Sequence, residues 1–155
     1  SGEDLTYYNE ENDEKITPSV IEPAGGLTRT FFAILLDAYS QEEVNGETRT
    51  VLKINKYLSP IQVAILPLSK KEPLIKIAEE INSYLISDYS TEIDVTQSIG
   101  KRYRRQDEIG TPYCITIDFD SLEDQRVTIR DRDTMNQERI TISDIPEVLK
   151  EKYNS

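Results

Sequence analysis

The stretch Ile99–Thr134 reads IGKRYRRQDEIGTPYCITIDFDSLEDQRVTIRDRDT, and it decides the predicted fold. Four basic residues lie between Lys101 and Arg105, a Gly-Thr-Pro turn follows, and two strand-like segments come next. Because side chains of a strand alternate, the last segment divides into two faces. One face carries Val127, Ile129 and Asp131, and the other carries Thr128, Arg130 and Arg132. The arginine face therefore cannot consist wholly of apolar core.

The charge of the chain limits what the basic residues can do. The chain has 155 residues and a net charge of −11, with eleven acidic and three basic residues in 1–50 and eighteen and fifteen in 51–155. Non-specific nucleic-acid binding depends on many phosphate contacts, which such an acidic chain disfavours. A local site that reads a few bases is still compatible with this charge.

The composition lacks the residues that several kinds of catalytic and metal site require. The chain has one cysteine, Cys114, and no histidine. This composition excludes an intrachain disulfide, a cysteine-based metal cluster and a Ser-His or Cys-His catalytic pair. We expect no metal site. There is no apolar run of eighteen residues and no signal-peptide pattern, so we predict a cytoplasmic protein without a membrane partner.

The acidic amino-terminal third predicts a hairpin, a strand and a helix. LTYY and KITPSVIEP flank the turn-rich NEENDE, which favours the hairpin, and Val20-Ile21 is typical of a buried strand. The glycine-rich junction Glu22–Arg29 leads into TRTFFAILLDAYSQ, which is apolar nearly all round. We therefore expect this helix to be buried on more than one side. A domain boundary is predicted near residues 53–60.

The remainder predicts a small α/β domain over about 57–155. Ile61–Leu68 is a continuous apolar run, as expected for a central strand covered on both faces. A helix over 74–85, three further strands and a helix closed by Gly110 are also predicted. QERITI predicts an edge strand, and IPEVLKEKY predicts a last helix. The expected architecture is a mixed sheet of about five strands with three helices.

The basic residues have two interpretations each. Arg130 and Arg132 could lie on a solvated sheet face, paired with Asp118, Asp120 or Glu123. Alternatively, forked arginine donors and a carboxylate could read base edges, as guanine and cytosine are read. The KRYRR run could be a solvated helix face, partly neutralised by Asp107 and Glu108. It could instead contact an RNA backbone or stack a base, through Lys101, Arg102 and Tyr103.

Two stretches of the chain resemble one known family. Ile99–Thr134 resembles the C-terminal anticodon-binding domain of class II glycyl-tRNA synthetases of the homodimeric type. VIEPAGGLTRTFFAILLDAY resembles the third signature motif of their catalytic domain, and the likeness extends over roughly Asp4–Tyr153. The resemblance implies a catalytic-domain tail over 1–56 and an anticodon-binding domain over 57–155. Signature motifs 1 and 2 have no counterpart, so the chain is expected to be a fragment that binds tRNA without catalysis.

The resemblance also implies roles for individual residues. Arg29 matches the arginine that binds ATP phosphates, and Glu22 matches the acid that binds the amino group of glycine. Ala24 stands in the glycine site where the family has serine, and Thr28 stands where it has aspartate. Glu123, Arg130 and Arg132 are the implied anticodon contacts, and no catalytic residue is expected to act in the isolated chain.

The implied partners belong mostly to the full-length enzyme, a glycine–tRNA ligase. They are glycine, its tRNA, ATP with Mg²⁺, and a second copy in a homodimer, whereas the fragment is expected to need no cofactor. One alternative is a non-catalytic relative, such as the synthetase-like accessory subunit of mitochondrial DNA polymerase. A further alternative is an acidic α/β module for protein–protein contacts, with the arginines merely paired across strands.

Overall fold

The computed structural model describes residues 2–154, which divide into two compact units, residues 2–31 and 32–154. The first unit contains a short antiparallel hairpin in which Tyr7 pairs with Ile16. Its strands are β1 (Tyr7–Asn9) and β2 (Glu14–Ile16). The predicted amino-terminal hairpin is therefore confirmed.

Two predictions of burial in the amino-terminal third are wrong. Val20 and Ile21 form no strand and are 79% and 93% exposed. The helix is present as α1 (Leu27–Ala38), but Ala38 is its only fully buried residue in the described chain. Phe31 and Phe32 are about 60% exposed. The apolar pattern is that of a core segment, and residues 2–154 do not supply the surface that would cover it.

A second hairpin follows α1 in the larger unit. Strands β3 (Tyr39–Val44) and β4 (Glu47–Leu52) pair along their full length. Asn45 and Gly46 connect them with φ values of 54° and 81°. Two consecutive positive φ angles are those of a type I′ turn, for which Asn-Gly is the preferred pair.

A five-stranded mixed sheet forms the centre of the larger unit, as predicted. Its order is β6-β5-β7-β8-β9, where the first three strands are parallel and the last two are antiparallel to their neighbours. The predicted edge strand is confirmed as β9. The strands are β5 (Val63–Pro67), β6 (Thr91–Ile93), β7 (Tyr113–Ile117), β8 (Arg126–Asp131) and β9 (Gln137–Thr141).

Helices cover the sheet differently on its two faces. They are α2 (Glu72–Leu85), α3 (Ile99–Ile109), the short α4 (Ser121–Asp124) and α5 (Ile145–Asn154). Helices α2 and α5 bury a large apolar core with Ile65, Ile115 and Ile129 on what we call the apolar face. Helix α3 packs on the opposite face, the α3 face, where a smaller apolar cluster contains Ala64, Leu66 and Cys114. No helix of residues 2–154 is long and apolar enough to cross a membrane.

Candidate nucleic-acid interface

A buried ionic group lies beneath α3. Asp107 is 1% exposed and accepts two hydrogen bonds from Arg130, at 2.9 and 3.2 Å, and one from Nε of Arg49 at 2.8 Å. Arg49 also donates to Glu42 at 2.8 Å. We call Glu42, Arg49, Asp107 and Arg130 the Asp107 cluster. The hydrogen bond that Arg49 donates to Asp107 is the main reason that the pKa of Arg49 is raised, against the opposing effect of burial.

The partner of Arg130 differs from the expectation. The prediction that it pairs with Asp118, Asp120 or Glu123 on a solvated face is wrong, because Arg130 is 5% exposed and its acid is Asp107. The predicted alternation along β8 is confirmed, since Ile129 lies in the apolar core and Arg130 therefore lies on the other face of the sheet. Sequence alternation showed which face Arg130 occupies, but not that α3 covers this face and brings its own acid.

Arg132 is buried by a different set of contacts. It is 4% exposed, and Nη1 donates to the carbonyl oxygens of Ile54 at 3.0 Å and Gly110 at 2.8 Å. Its Nε and Nη2 donate to the carboxylate of Asp133 at 2.8 and 2.9 Å. Arg132 therefore joins the end of β8 to the turn after α3 and to the segment after β4.

The three residues predicted on α3 have different environments. Lys101 is exposed, whereas Arg102 is 2% exposed and donates from Nη1 to the carbonyls of Pro67 and Asp94, at 2.7 and 2.9 Å. Burial lowers the pKa of Arg102. The half-buried Tyr103 places its ring 4.8 Å from the guanidinium carbon of Arg130. Of these three side chains, Lys101 alone is exposed and directly available to a phosphate.

Glu123 lies on the rim of the α3 face. It is exposed on α4, and no ion pair found among residues 2–154 involves it. The acids on either side of it are occupied by Arg139, which contacts Asp118 at 2.7 Å and Asp124 at 2.9 Å. The hydrogen bond from Arg139 is the main cause that holds the pKa of Asp118 below 3.8.

The sequence interpretation missed Arg139 and Arg49. Arg139 lies directly opposite Thr128 in the β8–β9 pair, so the same alternation that places Arg130 places Arg139 on the α3 face. That signal was available once β9 was predicted. Arg49 is 58 residues from Asp107 in the chain, and no local pattern links the two.

The residues matched to the catalytic motif lie in the first unit. Glu22, Ala24 and Arg29 are all exposed, and no ion pair within residues 2–154 involves Glu22 or Arg29. Both charges at the glycine-rich junction are therefore solvated. Across the described residues, no group of three or more His, Cys, Asp or Glu side chains is arranged to hold a metal ion.

The sheet order, the α3 face and the sequence together define a class of protein. Residues 62–152 match the family described as "Anticodon binding domain". Because this match covers more than half of the chain, the chain belongs to the family of anticodon-binding domains.

The most informative relatives are bacterial proteins named glycine–tRNA ligase. The chain is 50% identical to that of Cutibacterium acnes over 154 residues, which is 96% of the chain and 33% of the relative. It is 52% identical to that of Clostridium acetobutylicum and 53% identical to that of Staphylococcus saprophyticus, with 98% of the chain and 33% of each relative covered. The chain thus spans about a third of the length of the curated relatives it matches.

Solved structures support the same fold. A prolyl-tRNA synthetase from Cryptosporidium parvum, in complex with L-proline and AMP, superimposes with a TM-score of 0.60 and 25% identity. The superposition covers 66% of this chain and 23% of the synthetase. The predicted anticodon-binding fold, a mixed sheet of five strands with helices, is therefore confirmed.

Proposed function

We propose that this chain is the tRNA-reading part of a glycine–tRNA ligase, which joins glycine to its tRNA with ATP. The observation that carries the proposal is about 50% identity to bacterial glycine–tRNA ligases over nearly the whole chain. The full-length protein would be a cytoplasmic homodimer that uses Mg²⁺ with ATP. The chain itself would bind glycine tRNA without forming an aminoacyl adenylate.

Residues 1–56 would be the tail of the catalytic domain, and residues 57–155 the anticodon-binding domain. In this assignment Arg29 contributes a guanidinium for ATP phosphates, and Glu22 contributes a carboxylate for the amino group of glycine, with Ala24 beside it. All three side chains are exposed and could face a site completed by residues outside this chain. The Arg49–Asp107 ion pair would then join the tail to the anticodon-binding domain.

The anticodon would be read on the α3 face, at its rim by α4. Glycine anticodons carry cytosine at the second and third positions. A carboxylate accepts a hydrogen bond from the exocyclic amine of cytosine, and Glu123 is exposed for such a contact. Arg130 and Arg132 would complete the reading, although both are engaged by other groups in this conformation. Their direct contact with a base requires an outward movement when RNA binds.

The decisive test compares two anticodon stem-loops by fluorescence anisotropy. The first carries the glycine anticodon, and in the second the middle cytosine is replaced by uracil. We expect the wild-type chain to prefer the first loop by about 1–3 kcal/mol, which is roughly 5- to 150-fold. Glu123→Gln should reduce that preference, because an amide is a weaker acceptor for the amine.

Glu108→Gln is the matched control, since Glu108 is also an exposed acid that follows the basic run on α3. It removes the same charge and should leave the preference unchanged. Equal affinity of the wild-type chain for both loops would contradict anticodon reading and favour a protein–protein module. Glycine-dependent pyrophosphate exchange by the isolated chain would contradict the proposal that it binds tRNA without forming an aminoacyl adenylate.

A further inference from the structure

Three exposed apolar residues follow the carboxyl ends of two adjacent strands. Strands β5 and β7 are parallel and end side by side at Pro67 and Ile117, and the amide of Leu68 continues the ladder by donating to Ile117 at 2.8 Å. Leu68 is 39% exposed and Phe119, which follows β7, is 47% exposed. Leu122 is also 39% exposed, and its amide donates to the carbonyl of Phe119.

At the carboxyl ends of the parallel strands, the helices that follow successive strands lie on different faces of the sheet. The chain leaves β5 for α2 on the apolar face, and it leaves β6 for α3 on the opposite face. In open α/β sheets, ligands bind in the crevice outside the carboxyl ends of the strands at such a switch of direction. The exposed apolar groups are therefore at the position where this topology favours a ligand.

The loop that carries Phe119 is held from two sides. Oδ1 of Asp118 accepts hydrogen bonds from the amide of Ser121 at 2.9 Å and from its hydroxyl at 2.8 Å. Arg139 donates to Asp118 through hydrogen bonds at 2.7 and 3.2 Å, and it also holds Asp124 at the end of α4. An exposed aromatic ring on a loop fixed in this way loses little conformational freedom when it binds.

One lysine lies beside the ring of Phe119, which two aspartates flank in the sequence. Nζ of Lys71 lies 5.0 Å from the ring centroid, and Lys70 is its exposed neighbour in the chain. Arg102 donates to the carbonyl of Pro67 at the end of β5. An aromatic ring beside flexible lysines is the combination that stacks an unpaired base and contacts its phosphate. A protein partner would be expected to bury a wider apolar surface than these three side chains provide.

We propose that Phe119 is a stacking platform for one unpaired base of the tRNA anticodon loop, with Lys71 and Lys70 facing the adjacent phosphates. The inference rests on the proposed function. It adds to the proposed site a residue that contacts the base through its ring face, and such a contact does not depend on which base is present. Glu123 would discriminate between bases, whereas Phe119 would contribute affinity for any base in that position.

The chain contains no tryptophan, so Phe119→Trp introduces a single fluorophore at the platform. Titration with the glycine anticodon stem-loop should quench its emission, because the base stacks on the indole. Tyr84→Trp is the control, since Tyr84 is an aromatic residue of comparable exposure, 37%, at the far end of α2. Its emission should not change on RNA binding.

Affinity measurements separate stacking from apolar contact. Phe119→Ala and Phe119→Leu should each weaken binding by roughly 5- to 150-fold, whereas Phe119→Trp and Phe119→Tyr should retain it. The loss should be the same for the cytosine and uracil loops. Full affinity in Phe119→Leu, or indole emission that stays unquenched when Phe119→Trp is bound to RNA, would overturn the platform and leave the proposed function standing. Failure of the wild-type chain to bind either loop would overturn both.

Discussion

The two faces of the central sheet are both buried, but by different physics. On the apolar face, Ile65, Ile115 and Ile129 pack with α2 and α5, and burial of this kind is non-directional. On the α3 face, the Asp107 cluster replaces much of the apolar core with charges that must all find partners. The apolar face therefore provides most of the stability, and the α3 face fixes where the arginine-bearing strand β8 lies.

The largest effect is expected from removing the shared acid. Asp107→Ala leaves Arg49 and Arg130 buried without the carboxylate between them, and an uncompensated buried charge costs about 3–5 kcal/mol. Urea-induced unfolding, followed by circular dichroism, should show this loss of unfolding free energy.

Glu108→Ala provides the control for that measurement. It removes the next residue of the same helix, which is also an acid but is exposed. Its effect should stay within about 0.5 kcal/mol, as for other surface substitutions. A loss below about 1 kcal/mol in Asp107→Ala would show that water enters and solvates the two arginines, and the contrast between the faces would be weaker than we describe.

Replacing the three buried charges of the Asp107 cluster should have a smaller effect with the opposite sign. The triple variant Arg49→Met, Asp107→Leu, Arg130→Met removes these charges together and replaces them with apolar groups, while Glu42 keeps its ion pair with Lys53. Buried ionic groups replaced in this way are often neutral or stabilising, by up to about 4 kcal/mol. We expect unfolding free energy equal to or above that of the wild type, and weaker binding of the anticodon stem-loop. Unchanged RNA binding would show that the charges do not contribute to recognition.

The sequence predicted the apolar face far better than the α3 face. The periodicity of 74–85 and the apolar run of β5 identify core positions, because each strand or helix displays its own buried stripe. The partners of a buried charge are not periodic, and Arg49 and Asp107 are too far apart in the chain to form a local pattern. For the same reason the interpretation of Arg130 as a paired residue named the wrong acids, since its partner is Asp107.

The amino-terminal third shows the opposite failure of sequence reasoning. Phe31 and Ile21 have the pattern of a core, and both are exposed. Periodicity shows which side of an element is apolar, but burial also needs a partner surface, and residues 2–154 do not provide one for these side chains. Glu123, in contrast, was predicted from the resemblance alone, and the structure adds only that it is exposed.

Gly110, where the end of α3 meets the β3–β4 hairpin, should tolerate an added methyl group poorly. Gly110 ends α3 with φ of +85°, and a Cβ there would lie 2.7 Å from Cγ2 of Ile54 and 2.9 Å from the carbonyl oxygen of Leu52. Gly110→Ala combines this clash with an unfavourable left-handed backbone, so we expect it to cost more than about 1 kcal/mol of unfolding free energy.

Gly100→Ala is the matched control for Gly110. Gly100 also lies on α3, its φ is not in the left-handed region, and no atom lies within 4 Å of an added Cβ. Alanine there should stabilise the protein by about 0.4–1 kcal/mol, mainly by restricting the unfolded chain. Thermal unfolding should therefore move in opposite directions for the two variants, and equal shifts would contradict the tight contact at Gly110.

The smallest expected effect concerns the partly exposed ion pairs of Arg139 and appears as a dependence on pH. Arg139 holds the pKa of Asp118 below its ordinary value of 3.8, so Asp118 binds protons less readily in the folded than in the unfolded chain. Its contribution to stability is therefore complete above the unfolded pKa and is lost as pH falls through the folded pKa. Arg139→Gln should lower unfolding free energy by less than about 1 kcal/mol at neutral pH.

The difference between Arg139→Gln and the wild type should shrink as pH is lowered below about 4, because protonation of Asp118 removes the ion pair that only the wild type has. Lys76→Gln removes an exposed helical pair with Glu72 and serves as the control, with an expected loss of no more than about 0.5 kcal/mol. With no histidine in the chain, neither variant should change the stability profile between about pH 6 and 8. A difference that persists unchanged in acid would mean that Arg139 stabilises the Phe119 loop through its packing and not through its charge.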